Sequence, residues 1–248
     1  MHADVPEYRP GYATEFADDY DRWFAKPGIT GATVEALAAL AGAGPVLELG
    51  VGTGRLALPL RELGIEVHGV DGSESMVRRL HAKPGGAGTP VTIGDFADVP
   101  VSGTFSLVYL AGGTFAELPD QAAQMRCVAN AAARLAPGGL FVLDAHVPEA
   151  LATAAGPEIV AEGPGHLVLC HRTLDPSTQR YRSHYVIHED GRTRHLRVEF
   201  RYAGHGELDL MAFRAGLRLK ERWGGWTGAP FTRDSGYHVS VYERAEGA

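Results

Sequence analysis

The chain is poor in cysteine and lacks the marks of a secreted protein. Its 248 residues include two cysteines, Cys127 and Cys170, which lie far apart in the sequence. Two isolated thiols are typical of a reducing compartment rather than of a disulfide framework. The first residues have neither a basic start nor an apolar core. We therefore expect no signal peptide and a cytoplasmic location.

Long apolar runs and dense basic stretches are also missing. No apolar run approaches the roughly 18 residues that a membrane-spanning helix needs, so we expect no membrane association. The formal net charge is −7, whereas binding to a phosphate backbone needs clustered cations, so we expect no nucleic-acid partner. One local group of arginines is an exception, and it consists of Arg192, Arg194, Arg197 and Arg201. Their spacing predicts the solvated face of a strand. The alternative is a surface that binds an anionic substrate.

Motifs for nucleophilic or metal-assisted hydrolysis are absent as well. The sequence has no G-x-S-x-G nucleophile elbow. His184 and His188 fall on one predicted strand, where a separation of about 13 Å follows from the rise of about 3.3 Å per residue. We therefore expect no metal site.

The most informative stretch that is present runs from Val46 to Gly54, with the sequence VLELGVGTG. Its apolar start predicts a buried strand, and its alternating glycines predict a turn where the backbone closely approaches a ligand. The segment from Arg55 to Leu63 has spaced leucines and predicts a helix. A strand, a glycine turn and a helix form the nucleotide-binding corner of an α/β sheet.

The spacing of the glycines favours one class of cofactor. A dinucleotide-binding turn reads G-x-G-x-x-G, but here Gly50, Gly52 and Gly54 give G-x-G-x-G, and Arg55 stands where the third glycine would be. With Glu48 before it, the turn resembles the first motif of class I S-adenosylmethionine-dependent methyltransferases. The resemblance implies that the turn faces the methionine part of S-adenosylmethionine, whose cationic groups suit a nearby acid.

A second acid follows the next predicted strand. Asp71 ends the run that begins at Gly64 and lies about 20 residues beyond the glycine turn, where an acid accepts hydrogen bonds from ribose hydroxyls. The alternative is that Asp71 caps the following helix. The resemblance extends through Gly72, Ser73 and Met76. It implies that Met76 packs near the adenine, and a plain core position is the alternative.

A third acid closes the short strand that begins at Val91, in the run Gly94-Asp95-Phe96. In the methyltransferases that this run resembles, the acid binds the adenine amino group and the next backbone N–H meets a ring nitrogen. An adenine edge needs such partners because an unpaired polar group is costly to bury. Taken alone, Asp95 is also consistent with an ordinary turn.

The remaining pattern predicts an α/β fold. Strands alternate with amphipathic helices, which is typical of a parallel sheet covered on both faces. One helix is predicted from Pro119 to Leu135, ending at Pro137-Gly138-Gly139, and a buried strand follows from Leu140 to Asp144. The resemblance implies a Rossmann-like, doubly wound, seven-stranded sheet whose last strand is antiparallel.

Two segments are predicted to lie outside this cofactor core, which comprises residues 45–146 and 206–248. Residues 147–205 predict three strands in series, which we interpret as a small antiparallel β insertion over the substrate site. Residues 1–44 predict an N-terminal helical lid. In that lid we place Tyr20 against the cofactor, because aromatic rings attract a sulfonium.

The spacing of Tyr20, Trp23 and Phe24 leaves a second interpretation of the lid open. Residues at these intervals also form one hydrophobic face of a helix, with no contact to a ligand. Trp223 and Trp226, on the loop between the last two strands, either line the pocket or close the sheet.

The predicted substrate site offers one favoured catalytic residue. His146 follows the fifth strand and would take a proton from a hydroxyl acceptor. A histidine that binds substrate or packs structurally is the alternative, and His171 and His184 are weaker candidates. The fourth strand ends at Leu110 and Ala111, which we place at the cofactor.

These observations predict a methyltransferase that uses S-adenosylmethionine and acts on a nitrogen or oxygen of a small molecule, such as a secondary metabolite. The alternatives are a cofactor-binding protein of the same fold that does not methylate, for example one that promotes a cyclisation, and a nicotinamide-dependent oxidoreductase. We expect a small-molecule acceptor as the partner, and a homodimer is possible.

Overall fold

The computed structural model describes residues 17–24, 27–153 and 156–245. The part of the predicted lid before residue 17 lies outside these residues. The described chain forms a seven-stranded sheet flanked by helices and a separate four-stranded sheet. The helices are α1 Tyr20–Phe24, α2 Pro27–Leu40, α3 Ala57–Glu62, α4 Glu74–Ala82, α5 Gln121–Ala133, α6 Pro148–Thr153 and α7 His205–Arg214, with a 3₁₀ turn at Thr114–Glu117. The strands are β1 Val46–Leu49, β2 Val67–Asp71, β3 Val91–Ile93, β4 Phe105–Leu110, β5 Leu135–His146, β6 Glu158–Gly163, β7 His166–Asp175, β8 Arg180–Glu189, β9 Arg192–Arg201, β10 Leu217–Trp223 and β11 Tyr237–Arg244.

The large sheet has the strand order β10-β11-β5-β4-β1-β2-β3. Strand β11 runs antiparallel to both of its neighbours, and the pairs from β5 to β3 are parallel. The predicted seven-stranded α/β fold with an antiparallel last strand is therefore confirmed. Strand β1 is buried along its whole length, as expected for a central strand that helices cover on both faces.

The boundary between α5 and β5 differs from the prediction. Helix α5 ends at Ala133, and Leu135 already pairs with Phe105 in the sheet. The Pro137-Gly138-Gly139 run lies inside β5, where the pairing register with β4 shifts, rather than at the helix end. A proline has no N–H for the ladder, so it is tolerated in a strand at such an irregularity.

The insertion contains four antiparallel strands, in the order β6-β7-β8-β9, and not three. The strand that the prediction missed is β6, Glu158–Gly163, which forms one edge of this sheet. Its residues are exposed or half-buried, with no fully buried position. An edge strand of this kind carries little of the apolar alternation by which a strand is recognised in sequence.

Helix α1 lies between the two sheets and buries Trp23 completely against the insertion. The guanidinium of Arg194 lies 4.7 Å from the centre of the Trp23 ring and pairs with Asp19 at 3.2 Å. Arg201 is buried and pairs with Glu207 at 2.7 Å. The prediction that this group of arginines forms a solvated strand face is therefore wrong for Arg201, whereas Arg192, Arg194 and Arg197 are exposed as predicted.

Within the described ranges, none of the helices combines the length and the apolar character that crossing a bilayer requires.

Candidate active site

The glycine turn follows β1 and has a backbone conformation that glycine adopts readily. Gly50 and Gly52 both have positive φ, at 77° and 53°, a region that residues with a Cβ rarely adopt. A Cβ on Gly50 would lie 2.4 Å from Cγ2 of Thr114, whereas a Cβ on Gly52 would meet no atom within 4 Å. Gly50 is therefore fixed by packing, and Gly52 leaves open space beside the turn.

Glu48 is a buried acid on β1, only 5% exposed. Because Glu48 and Tyr109 are register partners on adjacent strands, the Tyr109 hydroxyl donates a hydrogen bond of 3.0 Å to Glu48 Oε2. Burial raises the pKa of Glu48 from 4.5 to about 8, although the Tyr109 hydrogen bond and the nearby Arg55 oppose the rise. A cationic group bound nearby lowers the pKa of such a carboxyl group and favours its charged form, so the buried Glu48 suits a cationic ligand.

Asp71 holds the glycine turn and the start of α4 together. Its Oδ2 accepts the backbone N–H of Gly52 at 2.7 Å, and its Oδ1 accepts that of Ser73 at 2.8 Å. Burial raises the pKa of Asp71, and these two N–H groups act in the opposite direction. The N-cap of α4 is Ser73, whose hydroxyl accepts from the N–H of Met76. The alternative that Asp71 itself caps this helix is therefore wrong.

Asp95 lies on an exposed turn after β3. Its Oδ1 accepts the backbone N–H of Ala97 at 2.8 Å, and its Oδ2 is 3.9 Å from the guanidinium of Arg126. Glu48, Asp71 and Asp95 thus stand at the carboxyl ends of three neighbouring strands, β1, β2 and β3. Carboxyl ends of parallel strands are where α/β sheets bind their ligands.

A cavity of about 660 Å³ opens beside the glycine turn, between the large sheet, α1 and the insertion. Part of the predicted site borders it, namely Tyr20, Glu48, Gly50, Gly52, Ala111 and His146. The other predicted cofactor residues lie outside its lining, namely Gly54, Asp71, Gly72, Ser73, Met76, Gly94, Asp95, Phe96 and Leu110. Met76 and Leu110 are almost completely buried, which favours a packing role for their side chains. The cofactor role of each predicted residue stays a prediction.

His146 borders the cavity at the end of β5, and two aromatic rings flank it. Its imidazole packs edge-on against Tyr237 at 5.3 Å and against Tyr181 at 6.3 Å between ring centres. Tyr237 is the register partner of His146 on β11, and Tyr181 comes from β8 of the insertion. His171 and His184 pair with each other across β7 and β8, and His171 is exposed, so neither contributes to the cavity wall.

Asp144 is a buried acid whose role the sequence analysis missed. One oxygen accepts the N–H of Gly113 at 2.7 Å, and the other accepts the N–H of Gly112 and the indole N–H of Trp226, both at 2.8 Å. Asp144 therefore fixes two loops that border the cavity. The signal was present, because Leu140 to Asp144 is an apolar run that ends in an acid, like the strand that ends at Asp71.

The tryptophans of the last loop have different positions. Trp226 is buried and borders the cavity, so the pocket-lining interpretation is correct for it. Trp223 lies at the end of β10, outside the cavity lining, where its indole N–H donates to Glu221 at 2.8 Å. Its ring packs against the core of the large sheet, as the sheet-closing interpretation predicts.

Helix α1 is attached to the glycine turn by a small polar network. The Thr53 hydroxyl donates to Asp21 Oδ1 at 2.6 Å, and Lys83 Nζ pairs with Asp21 Oδ2 at 2.6 Å. Lys83 also donates to the carbonyl of Thr53 at 2.8 Å. These contacts hold Tyr20 and Phe24 over the cavity, where both border it.

Comparisons with known proteins agree on one family. A family described as a methyltransferase domain matches residues 46–139. The chain is 39% identical to the CcbJ methyltransferase from Streptomyces caelestis, whose structure it matches with a TM-score of 0.85 over 94% of this chain and 98% of that one. It is 29% identical over 202 residues to the cypemycin N-terminal methyltransferase of a Streptomyces species, covering 80% of this chain and 82% of that protein.

A more distant structure has the same fold. The amino pentose methyltransferase CalS10 from Micromonospora echinaspora, solved with S-adenosylmethionine bound, is 21% identical and matches with a TM-score of 0.70 over 99% of this chain and all of that one. The chain belongs to the S-adenosylmethionine-dependent methyltransferases. It is an enzyme of this class, and S-adenosylmethionine is its cofactor. The nicotinamide alternative is therefore wrong.

The residues present fit this cofactor. Beside Gly52 there is space that a side chain would otherwise fill, and Glu48 offers a buried carboxyl group suited to a cationic ligand. Arg55 borders the same cavity and supplies a cation that suits the carboxylate of an amino acid. In the described part of the chain, no cluster of three or more His, Cys, Asp or Glu residues is arranged to hold a metal ion.

Proposed function

We propose that this enzyme methylates an amine nitrogen of a small natural-product acceptor bound in the cavity between the glycine turn and the insertion. The observation that carries the proposal is that Glu48 and Gly52, His146 and the inner wall of the insertion all border one cavity. A cofactor at the turn and an acceptor against the insertion would then meet in front of His146. The name of the cypemycin relative, an N-terminal methyltransferase, supports nitrogen as the target.

The cofactor, when bound, supplies an electrophilic methyl group on a sulfonium. We assign the holding of its amino acid part to Glu48, Arg55 and the turn at Gly50 and Gly52, and the holding of its ribose to Asp71. Aromatic side chains from α1 and the insertion line the cavity and would limit access of water to the bound cofactor. The main catalytic contribution of such a site is alignment, because a nucleophile held at near-attack distance avoids much of the entropic cost of reaction.

We assign to His146 the role of accepting the proton that the acceptor loses. An amine is protonated at neutral pH and must lose a proton before its lone pair can attack, and an imidazole accepts a proton in this pH range. The rings of Tyr181 and Tyr237 hold the imidazole in place at the cavity wall. If the imidazole is the base, its removal should lower kcat by about 10²–10⁴-fold.

The test is a screen of amines against matched hydroxy analogues with the purified enzyme and S-adenosylmethionine. Mass spectrometry detects the gain of one methylene, and S-adenosylhomocysteine is measured in parallel. We expect turnover of amines and a large loss of kcat in His146→Gln, together with loss of the acidic limb of the pH–rate profile. His171→Gln is the matched control, because His171 lies outside the cavity lining.

Methylation confined to the hydroxy analogues would contradict nitrogen as the target. An unchanged kcat and pH profile in His146→Gln would contradict the proposed role of the imidazole. If the enzyme releases no S-adenosylhomocysteine with a broad panel of amines and phenols, the result would favour the non-methylating alternative.

A further inference from the structure

The insertion side of the cavity contains a positive charge that the proposed methyl transfer does not use. Arg172, on β7, borders the cavity, and its side chain is only 17% exposed. Ser183, its register partner on β8, borders the cavity too. Tyr185 follows on the same face of β8 and also lines the wall. The three side chains therefore form one polar patch opposite the glycine turn.

Arg172 has one charged partner at the rim. Its Nη1 lies 2.9 Å from an oxygen of Glu158, which stands half-exposed on the edge strand β6. A guanidinium has five N–H groups arranged as a fork, so a contact through Nη1 leaves donors for a second acceptor. Because Glu158 is open to solvent, its pairing with Arg172 is weak enough for a ligand to compete.

Ser183 and Tyr185 give the second observation. The Ser183 side chain is 1% exposed, and its hydroxyl lies within hydrogen-bond reach of the Tyr185 hydroxyl and of the Cys170 thiol. A Ser183 hydroxyl that donates to Tyr185 leaves the Tyr185 O–H to donate to another group. Arg172 and Tyr185 both border the cavity and both have hydrogen-bond donors to offer, so the group that completes this patch is an acceptor.

We propose that Arg172, Ser183 and Tyr185 form a subsite for a carboxylate carried by the acceptor, at a distance from the atom that is methylated. The inference rests on the proposed function, since the acceptor is the molecule that the subsite would hold. A carboxylate matches the planar fork of a guanidinium. A phosphate dianion is a poorer match, because Glu158 is an acid directly beside the fork.

The cofactor's own carboxylate does not account for this patch. Arg55, which follows the glycine turn, is the cation on the cofactor side of the cavity, and its Nη1 is held by the Thr30 hydroxyl at 3.2 Å. Arg172 is carried by a different sheet. Two arginines on opposite walls therefore suit two separate carboxylates, one on the cofactor and one on the acceptor.

The experiment measures binding of two probes of nearly equal shape, 3-phenylpropanoate and its neutral amide, 3-phenylpropanamide. Both are titrated by ligand-observed NMR into the full-length enzyme saturated with S-adenosylhomocysteine. We expect the wild type to bind the carboxylate at least about tenfold more tightly than the amide, a difference of about 1.4 kcal/mol. Arg172→Gln should remove this preference and leave the affinity for the amide unchanged.

Two further variants sharpen the test. Glu158→Gln should raise the affinity for the carboxylate, because it removes the competing acid. Arg182→Gln is the matched control, since Arg182 is an exposed arginine on β8 that also pairs with a glutamate, Glu199 at 2.7 Å, away from the cavity. Arg182→Gln should therefore keep the wild-type preference.

The outcomes separate this inference from the proposed function. Equal binding of the two probes would overturn the subsite. So would the absence of carboxylate binding at concentrations up to about 10 mM, which is well above a Kd of about 1 mM, equivalent to a binding free energy of about 4.1 kcal/mol. Thermal stabilisation by S-adenosylhomocysteine and methylation of amines would be unaffected by that result. Conversely, a carboxylate preference in an enzyme that methylates no amine would contradict the proposed function and leave the subsite standing.

Discussion

The substitution Asp144→Asn tests a buried side chain that accepts several hydrogen bonds at the site. It preserves the shape of the group but replaces one of its two acceptor oxygens with an NH₂ donor. Three hydrogen bonds to Asp144 come from N–H donors, those of Gly112, Gly113 and Trp226, and the Tyr237 hydroxyl donates a further one. If the amide oxygen of the asparagine keeps the hydrogen bonds from Gly112 and Trp226, its NH₂ group must face the N–H of Gly113. Two hydrogen-bond donors then point at each other.

The cost follows from that geometry. A hydrogen bond to a charged group contributes about 1.5–3 kcal/mol, and a buried donor left unpaired costs about 1–3 kcal/mol. Because these two estimates overlap, we expect the free energy of unfolding to fall by about 2–4 kcal/mol. A domain of this size loses about 2–4 °C in Tm per kcal/mol. Affinity for S-adenosylhomocysteine should fall too, because the Gly112-Gly113 turn borders the cavity.

The assay is urea unfolding of wild type and variants, with S-adenosylhomocysteine binding measured by calorimetry. Asp120→Asn is the matched control. Asp120 is the N-cap of α5, accepting the N–H of Ala123 at 2.8 Å, and asparagine caps about as well as aspartate. The reasoning is refuted if Asp144→Asn is no more destabilising than Asp120→Asn. The double variant with Trp226→Phe should show coupling of at least about 0.5 kcal/mol.

Three further predictions concern the cofactor side of the site. Burial raises the pKa of Glu48 to about 8 in the folded chain, so between about pH 4.5 and 8 the folded state holds a proton that the unfolded state has released. Without ligand, the free energy of unfolding should therefore fall as pH rises through this range. Glu48→Gln should flatten this dependence when urea unfolding is compared at pH 5 and pH 9. Gly50→Ala should lose clearly more unfolding free energy than Gly52→Ala, because both have positive φ but only a Cβ on Gly50 meets Thr114 at 2.4 Å; equal losses would contradict the packing argument. Asp21→Asn should increase hydrogen exchange in residues 20–24 while changing the free energy of unfolding by less than about 1 kcal/mol, since its ion pair with Lys83 is partly exposed; unchanged exchange would show that the network does not hold α1.

Much of the fold could be predicted because it depends on local signals. The strand before Gly50 and the turns that follow are dictated by apolar runs and by backbone conformations that glycine adopts readily. The edge strand β6 could not be recognised, since its residues are not buried and so lack alternation. The end of α5 was misplaced because Pro137-Gly138-Gly139 resembles a helix stop but lies at an irregularity within β5.

The candidate site was less accessible to sequence reasoning, because its residues come from distant segments. The sequence marked Glu48 and His146, and both border the cavity. Arg172 and Ser183 are distant in sequence from both, and they form one patch only through the pairing register of β7 and β8. Arg201 could not be recognised as buried, because its contact with Gln124 on α5 joins segments 77 residues apart.

The most direct test of this account is a crystal structure of the enzyme with S-adenosylhomocysteine bound. We expect the amino acid part of the ligand beside Glu48 and Gly52, its ribose at Asp71, and its sulfur open to the cavity that His146 and Arg172 border. A ligand bound away from the glycine turn, or a sulfur separated from that cavity by protein, would contradict the central claim that cofactor and acceptor share one chamber.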